Sequence, residues 1–135
     1  MEDRERAKQV VNACADFLLT PYGLRTLQER DINYVGSYKG NFNQREYALH
    51  QGTVWAWLIG PFIGAYWYAY QDIETAYTFL EPFIDHLTNH GLGTISEIFD
   101  GNAPHRPRGA FAFALSVAEI LRVWAELERA RYSES

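Results

Sequence analysis

Residues 53–70 read TVWAWLIGPFIGAYWYAY, and the uncharged run around them extends from Tyr47 to Gln71 without one Asp, Glu, Lys or Arg. A membrane-crossing helix needs about 20 predominantly apolar residues, so the run invites that reading. Gly52, Gly60, Pro61, Gly64, His50 and Gln51 stand against it, as do the hydroxyls of Tyr66, Tyr68 and Tyr70. The flanks, Arg45 and Glu46 before and Asp72 and Glu74 after, carry no basic bias of the kind that orients a span. A helix apolar on every side is then one buried inside a larger protein. The spacing predicts it over residues 53–70, kinked or broken at Pro61.

Working outward, residues 73–90 place Ile73, Ala76, Tyr77, Leu80, Phe83, Ile84 and Leu87 on one helical stripe, with Pro82 removing one backbone donor. Gly91 and Gly93 supply the stop. An N-terminal helix is predicted over residues 3–19 from Ala7, Val10, Val11, Cys14, Phe17 and Leu18, ended by Thr20-Pro21 and Gly23. A last helix over residues 109–131 directs Phe113, Val117, Ile120, Leu121 and Trp124 inward, and a polar tail follows. Between these, residues 20–52 and 92–108 show no sustained period. The first of these segments holds Tyr22, Tyr34, Tyr38 and Tyr47, whose packing surface argues for an ordered irregular excursion rather than disorder. The expectation is one all-α domain over residues 1–135, with four main helices, two long loops and no strand or repeat.

Composition narrows the function classes. With a net charge of −5, nothing suggests the cationic surface that nucleic-acid binding requires, and no nucleic-acid partner is expected. Aromatic residues make up 16% of the chain and crowd between Tyr47 and Phe83, which suits a neutral, hydroxyl-rich ligand as well as a core. Cys14 is the one cysteine, so no internal disulfide is possible, and its place on an apolar stripe makes it a small core residue rather than a reactive thiol. The opening MEDRERAK has no apolar segment of the signal-peptide kind, and a cytoplasmic protein is expected.

Two clusters carry possible chemistry. His50-Gln51-Gly52-Thr53-Val54-Trp55-Ala56-Trp57 offers indole faces for sugar rings and directional hydrogen bonds from His and Gln. The competing reading packs both Trp in a core with Thr53 as a helix cap, and composition alone favours it. In Gly93-Thr94-Ile95-Ser96-Glu97-Ile98-Phe99-Asp100-Gly101, two carboxylates stand three residues apart. Glycoside hydrolysis needs one carboxyl on each side of the scissile bond, which sequence spacing does not establish. Turns at Ser96 and Asp100 with a hydrogen-bonded Glu97 are the simpler reading. His86 and His90 have metal-ligand spacing but no third ligand and no HExxH, so they read as a solvated helix end, and no metal or other cofactor is expected.

Taken together, LLTPYGLRTL, ALHQGTVWAWLIGPF, LEPFIDHL and GLGTISEIFDGNAPHRPRGA resemble the C-terminal region of bacterial and archaeal glycogen debranching enzymes of the amylo-α-1,6-glucosidase type, over about residues 7–127. The resemblance implies part of an (α/α)6 barrel, in which twelve helices form inner and outer rings and this chain supplies the last four. Residues 53–70 would be an inner helix. It also implies inverting hydrolysis of an α-1,6-linked glucose by two carboxylates and a water. Glu97 matches the general base, and His50, Gln51, Trp55 and Trp57 match the segment lining the glucose pocket. Asp100, His105 and Arg108 fall in the adjoining site loop.

Two departures temper this. Phe113-Ala114-Leu115-Ser116 stands where relatives carry Gln-Ala-Trp-Ser, and Trp55-Ala56-Trp57 stands where they carry Trp-Pro-Trp. The family's general acid lies upstream of the matched region. A general acid or base contributes typically about 10²–10⁴-fold, so the expectation is a debranching-type fragment inactive by itself. It would hold an α-glucan or glucose-type ligand and self-associate or join a partner chain. The alternative is a non-catalytic carbohydrate-binding or protein-interaction module.

Overall fold

The computed structural model describes residues 2–90 and 92–133. Their order is α1 (Glu2–Phe17), β1 (Leu19–Thr20), β2 (Gly23–Arg25), α2 (Phe42–His50), β3 (Val54–Trp55), a 3₁₀ turn (Ala56–Leu58), α3 (Ile59–Tyr70), α4 (Ile73–Thr78), α5 (Glu81–Asn89), β4 (Ile98–Phe99), β5 (Pro107–Arg108) and α6 (Ala114–Ser133). The fold is mostly helical, as the periodicity implies, but it also contains a small open sheet in the order β1-β2-β3-β4-β5, antiparallel throughout. The all-α expectation is corrected to that extent. Strands of two or three residues have no alternation to read, so period analysis passes over them.

Each predicted helix changes at its ends for a local reason. The first stops at Phe17 because Leu19 and Thr20 pair with Leu24 and Gly23. Only a narrow stripe of α1 is covered: Val11 is buried, whereas Val10 and Phe17 face solvent. Residues 20–52, read as irregular, hold two strands and α2. That helix opens with a capping box, in which Asn41 Oδ1 accepts from the Gln44 amide at 3.0 Å and Gln44 Oε1 accepts from the Asn41 amide at 2.8 Å.

The apolar run begins as strand and 3₁₀ turn, and its helix starts only at Ile59. Pro61 therefore falls in the first turn, where its missing N–H leaves no gap, and no break results. Ile59, Gly60, Phe62, Ile63 and Ala69 are buried, while Pro61, Ala65 and Tyr68 are exposed. The helix is thus apolar all round but covered along one side by the described residues.

Residues 73–90 divide in two. Asp72 caps α4 by accepting from the Thr75 amide at 3.0 Å, and Pro82 sits in the first turn of α5. Gly93, at φ +89°, returns its amide to the Leu87 carbonyl and closes α5, while Gly91 lies outside the described residues. The last helix starts at Ala114 rather than 109, after Gly109 turns the chain at φ +64°. Its buried side carries Ser116, Val123 and Leu127. Leu121 and Trp124, expected inside, are exposed. Tyr77 of α4 donates to Glu128 of α6 at 2.5 Å, and burial together with that carboxylate pushes the Tyr77 hydroxyl up to about 12.

The core gathers Val11 of α1, Ile59 and Ile63 of α3, Phe83 of α5, Phe99 of β4, and Val123 and Leu127 of α6. No described helix is long and apolar enough to cross a membrane. Helices α3 and α6 meet at Gly60, where an added Cβ would lie 3.0 Å from the Glu119 carbonyl oxygen and 2.6 Å from its carboxylate. Gly60→Ala is expected to cost about 1–3 kcal/mol by overpacking. Gly64→Ala has open space, with its nearest contact at 4.0 Å, and should be neutral or stabilising by up to about 1 kcal/mol. Urea denaturation of the two variants checks the contrast.

Candidate functional site

The sheet does what the sequence could not specify: it sets the two clusters side by side. Val54 pairs with Phe99 and Trp55 with Ile98, and Ile98 and Phe99 pair in turn with Arg108 and Pro107. The His50–Trp57 cluster, the Glu97–Asp100 cluster and the HRPR segment are therefore consecutive strands with their flanking turns. Arg25 Nε adds a cross-link from β2 by donating to the Gly101 carbonyl at 3.0 Å.

Residues 34–38 thread between these turns. The Val35 amide donates to the Gln51 carbonyl at 2.5 Å, the Asn102 amide to the Gly36 carbonyl at 2.9 Å, and the Tyr34 hydroxyl to Asn102 Oδ1 at 3.0 Å. Such threading requires glycine. At Gly52, φ is +137° and a Cβ would lie 2.5 Å from the Tyr34 ring; at Gly101 a Cβ would collide with the Gly52 carbonyl.

Asp100 is 5% exposed and fully engaged. Oδ1 accepts from the Tyr38 amide at 2.7 Å and from Arg108 Nε at 3.2 Å, and Oδ2 accepts from Arg108 Nη2 at 3.0 Å. A charge-assisted fork of this kind fixes geometry as much as it adds energy. His105, at φ +55°, contacts the Asp100 carbonyl through Nδ1 at 3.0 Å. Asp100, His105 and Arg108 thus form one hydrogen-bonded cluster.

Glu97 is held differently. Its backbone exchanges bonds with Ala110 and Ala56, and Oε2 accepts from the Ala110 amide at 3.0 Å. Oε1 has no protein hydrogen-bond partner among the described residues. Trp55 is half-buried and donates Nε1 to the Leu49 carbonyl at 3.3 Å. Gln51 caps α2 through its amide, Trp57 lies half-buried in the 3₁₀ turn, and His50 is exposed in the last turn of α2. None of these three side chains joins the Asp100 cluster. Thr53 is not the N-terminal cap expected of it: it is 1% exposed, and its hydroxyl donates to the Ala48 carbonyl in the last turn of α2 at 2.9 Å.

Beside the threaded segment lies a cleft of about 540 Å³, lined by Val35, Ser37, Lys39, Gln44, Tyr47 and Asn102. Sequence reasoning did not single these out as site residues. The tyrosines and glycines of residues 20–52 were the available signal, since they mark an ordered segment with close backbone approaches. A second cavity, of about 220 Å³, holds His86, His90 and His105 against Tyr22 and Phe99. His86 is 5% exposed, so it is not the solvated helix end expected of it. The described residues contain no group of three or more His, Cys, Asp or Glu side chains placed to hold a metal ion.

A mostly helical framework whose short strands set separate polar motifs side by side is the class of protein defined here. Residues 1–122 match the family model described as amylo-alpha-1,6-glucosidase, and the chain belongs to that family. Part of it is similar to the glycogen debranching enzyme of Saccharomyces cerevisiae, with 32% identity over 68 residues, 46% of this chain and 4% of the yeast protein. The chain therefore spans a small fraction of the length of that relative.

Asp100→Ala is expected to lower stability by about 2–4 kcal/mol, less than the full loss of a buried pair because Arg108 is partly solvated. Chemical denaturation monitored by tryptophan fluorescence measures it, and Arg106→Ala, at an exposed neighbour, should be near neutral.

Proposed function

We propose that the chain, as one unit over residues 1–135, forms a wall of an α-glucan-binding site in a debranching-type (α/α)6 barrel, to whose C-terminal part it corresponds. The observation that carries this reading is the pairing of β3, β4 and β5, which sets the two family-like clusters and the HRPR segment side by side, while Asn102, two residues beyond Asp100, lines the 540 Å³ cleft. Tyr47, 50% exposed, offers a ring face there, and Ser37, Gln44 and Asn102 offer hydroxyl and amide groups. Such a wall recognises a neutral hexose without a metal or an organic cofactor.

In this reading Glu97 is the general base. One oxygen is oriented by the Ala110 amide, and the other keeps its lone pairs for a water. His50, Gln51, Trp55 and Trp57 border the sugar, and Asp100, His105 and Arg108 hold the site loop in shape. Asp100 is not the acid, because Tyr38 and Arg108 occupy both of its oxygens. The acid would come from outside these residues, so the chain by itself binds but does not hydrolyse. The second reading, a non-catalytic binding or interaction module, draws support from Leu115, an exposed apolar side chain where relatives carry an indole.

A groove of about 430 Å³ between α4, α5 and α6 exposes Ile84, Leu121 and Trp124 and supports self-association or a partner chain. The free, half-buried Cys14 suits a reducing compartment, and the cytoplasm is the proposed location.

Calorimetric titration with maltotriose is expected to give binding that Tyr47→Ala weakens about tenfold, or about 1.4 kcal/mol. The purified chain should release no glucose from limit dextrin; release that Glu97→Gln abolishes would place catalysis within the chain and overturn this reading. Light scattering should show mass rising with concentration, suppressed by Trp124→Glu, and a strict monomer at high concentration would remove the partner surface.

A further inference from the structure

His86 lies in α5, ten residues before Ser96, and its ring reaches the segment that carries Glu97. Its Nε2 accepts from the Ser96 amide at 3.2 Å. The acceptor role requires a lone pair on Nε2, so the ring is neutral with its proton on Nδ1. Ser96 is 1% exposed, and its hydroxyl is buried without a hydrogen-bond partner in the described structure. The imidazole is thus the polar anchor of Ser96. Among the described residues it is also the hydrogen bond that joins α5 to residues 95–97.

The ring is enclosed. Phe99 meets it edge-on at 5.1 Å between centroids, Tyr22 lies tilted at 6.0 Å, and His90 stacks at 5.8 Å. The titratable and charged groups around it are Tyr22 from the β1–β2 turn, Asp85 from α5 and His90 from its C-terminal cap, and His105 and Arg106 from the loop between β4 and β5. No carboxylate among the described residues is hydrogen-bonded to His86 or His90. A proton on His86 Nε2 would face the Ser96 N–H donor to donor, inside an aromatic cage, with Arg106 and two further imidazoles lining the same cavity.

We propose that His86 is a positioning residue, whose neutral imidazole ties α5 to the Ser96–Glu97 segment and whose protonation in mild acid releases that tie. Burial, and then the neighbouring His90, push the imidazole below its ordinary value. A depressed value in the folded state means that the unfolded chain binds the proton more readily. The stabilising contribution is complete above the ordinary imidazole range and is lost as pH falls through the lowered value. That the tie bears on sugar binding rests on the reading of Glu97 given above; the tie itself does not.

Two-dimensional NMR of the ¹⁵N-labelled chain between pH 8 and pH 5 tests it. The Ser96 amide is expected to shift with the same midpoint as the His86 ring. Its protection from hydrogen exchange, corrected for intrinsic rates, should fall at least tenfold across that midpoint. His86→Gln keeps an acceptor that does not titrate and should abolish the response while the chain stays folded. His86→Phe keeps the ring packing without an acceptor and should show the low protection already at pH 7.5. A Ser96 amide indifferent to pH, or a response that persists in His86→Gln, would overturn the proposal. Maltotriose affinity, read by tryptophan fluorescence, should weaken through the same midpoint. Unchanged affinity beside a titrating Ser96 amide would leave the tie standing and remove Glu97 from the sugar site.

Discussion

Two stretches of backbone approach each other at Gly52 and Gly101 more closely than any side chain would allow, and the architecture around the cleft depends on that approach. Residues 34–38 run alongside this contact and hydrogen-bond to both stretches, to Gln51 on one and Asn102 on the other. The Asp100 carboxylate then locks the passage by accepting from Tyr38 while gripping Arg108 on the next strand. The glycines supply the space and the carboxylate supplies the clamp.

This arrangement changes how the family-like clusters are understood. Much of what makes them distinctive is structural: two glycines at a close approach, Asp100 as an ion-pair partner, and Thr53 satisfying the last turn of α2. Glu97 differs, being anchored on one oxygen and open on the other. A folding device occupies residues of the proposed binding site, and Glu97 is the one whose carboxylate that device leaves half open.

The helical framework was legible from the sequence wherever an apolar stripe ran for several turns, as in α5 and α6. It was less legible where meaning depended on partners distant in the chain. Leu121 and Trp124 fit the helical period and still face outward, along the groove between α4, α5 and α6. The strands were invisible for the same reason, since Trp55 and Ile98 become a pair only through a contact across more than forty residues. The capping box at Asn41 and Gln44 was a readable signal that the irregular appearance of residues 20–52 obscured. Within the candidate site, the residue types could be named, but the commitment of Asp100 to Arg108 and Tyr38 became apparent only in three dimensions.

The five strands draw on positions near 19, 24, 54, 98 and 107, and none is longer than three residues. No pair of them would persist by itself in water. Each exists because the helices it connects are already packed, and closing such long loops becomes favourable only when many contacts form together. Assembly of the cleft is therefore the same event as completion of the fold. The short strands keep their places only while the helices that flank them stay packed, so the cleft takes its shape from the core rather than from the strands themselves.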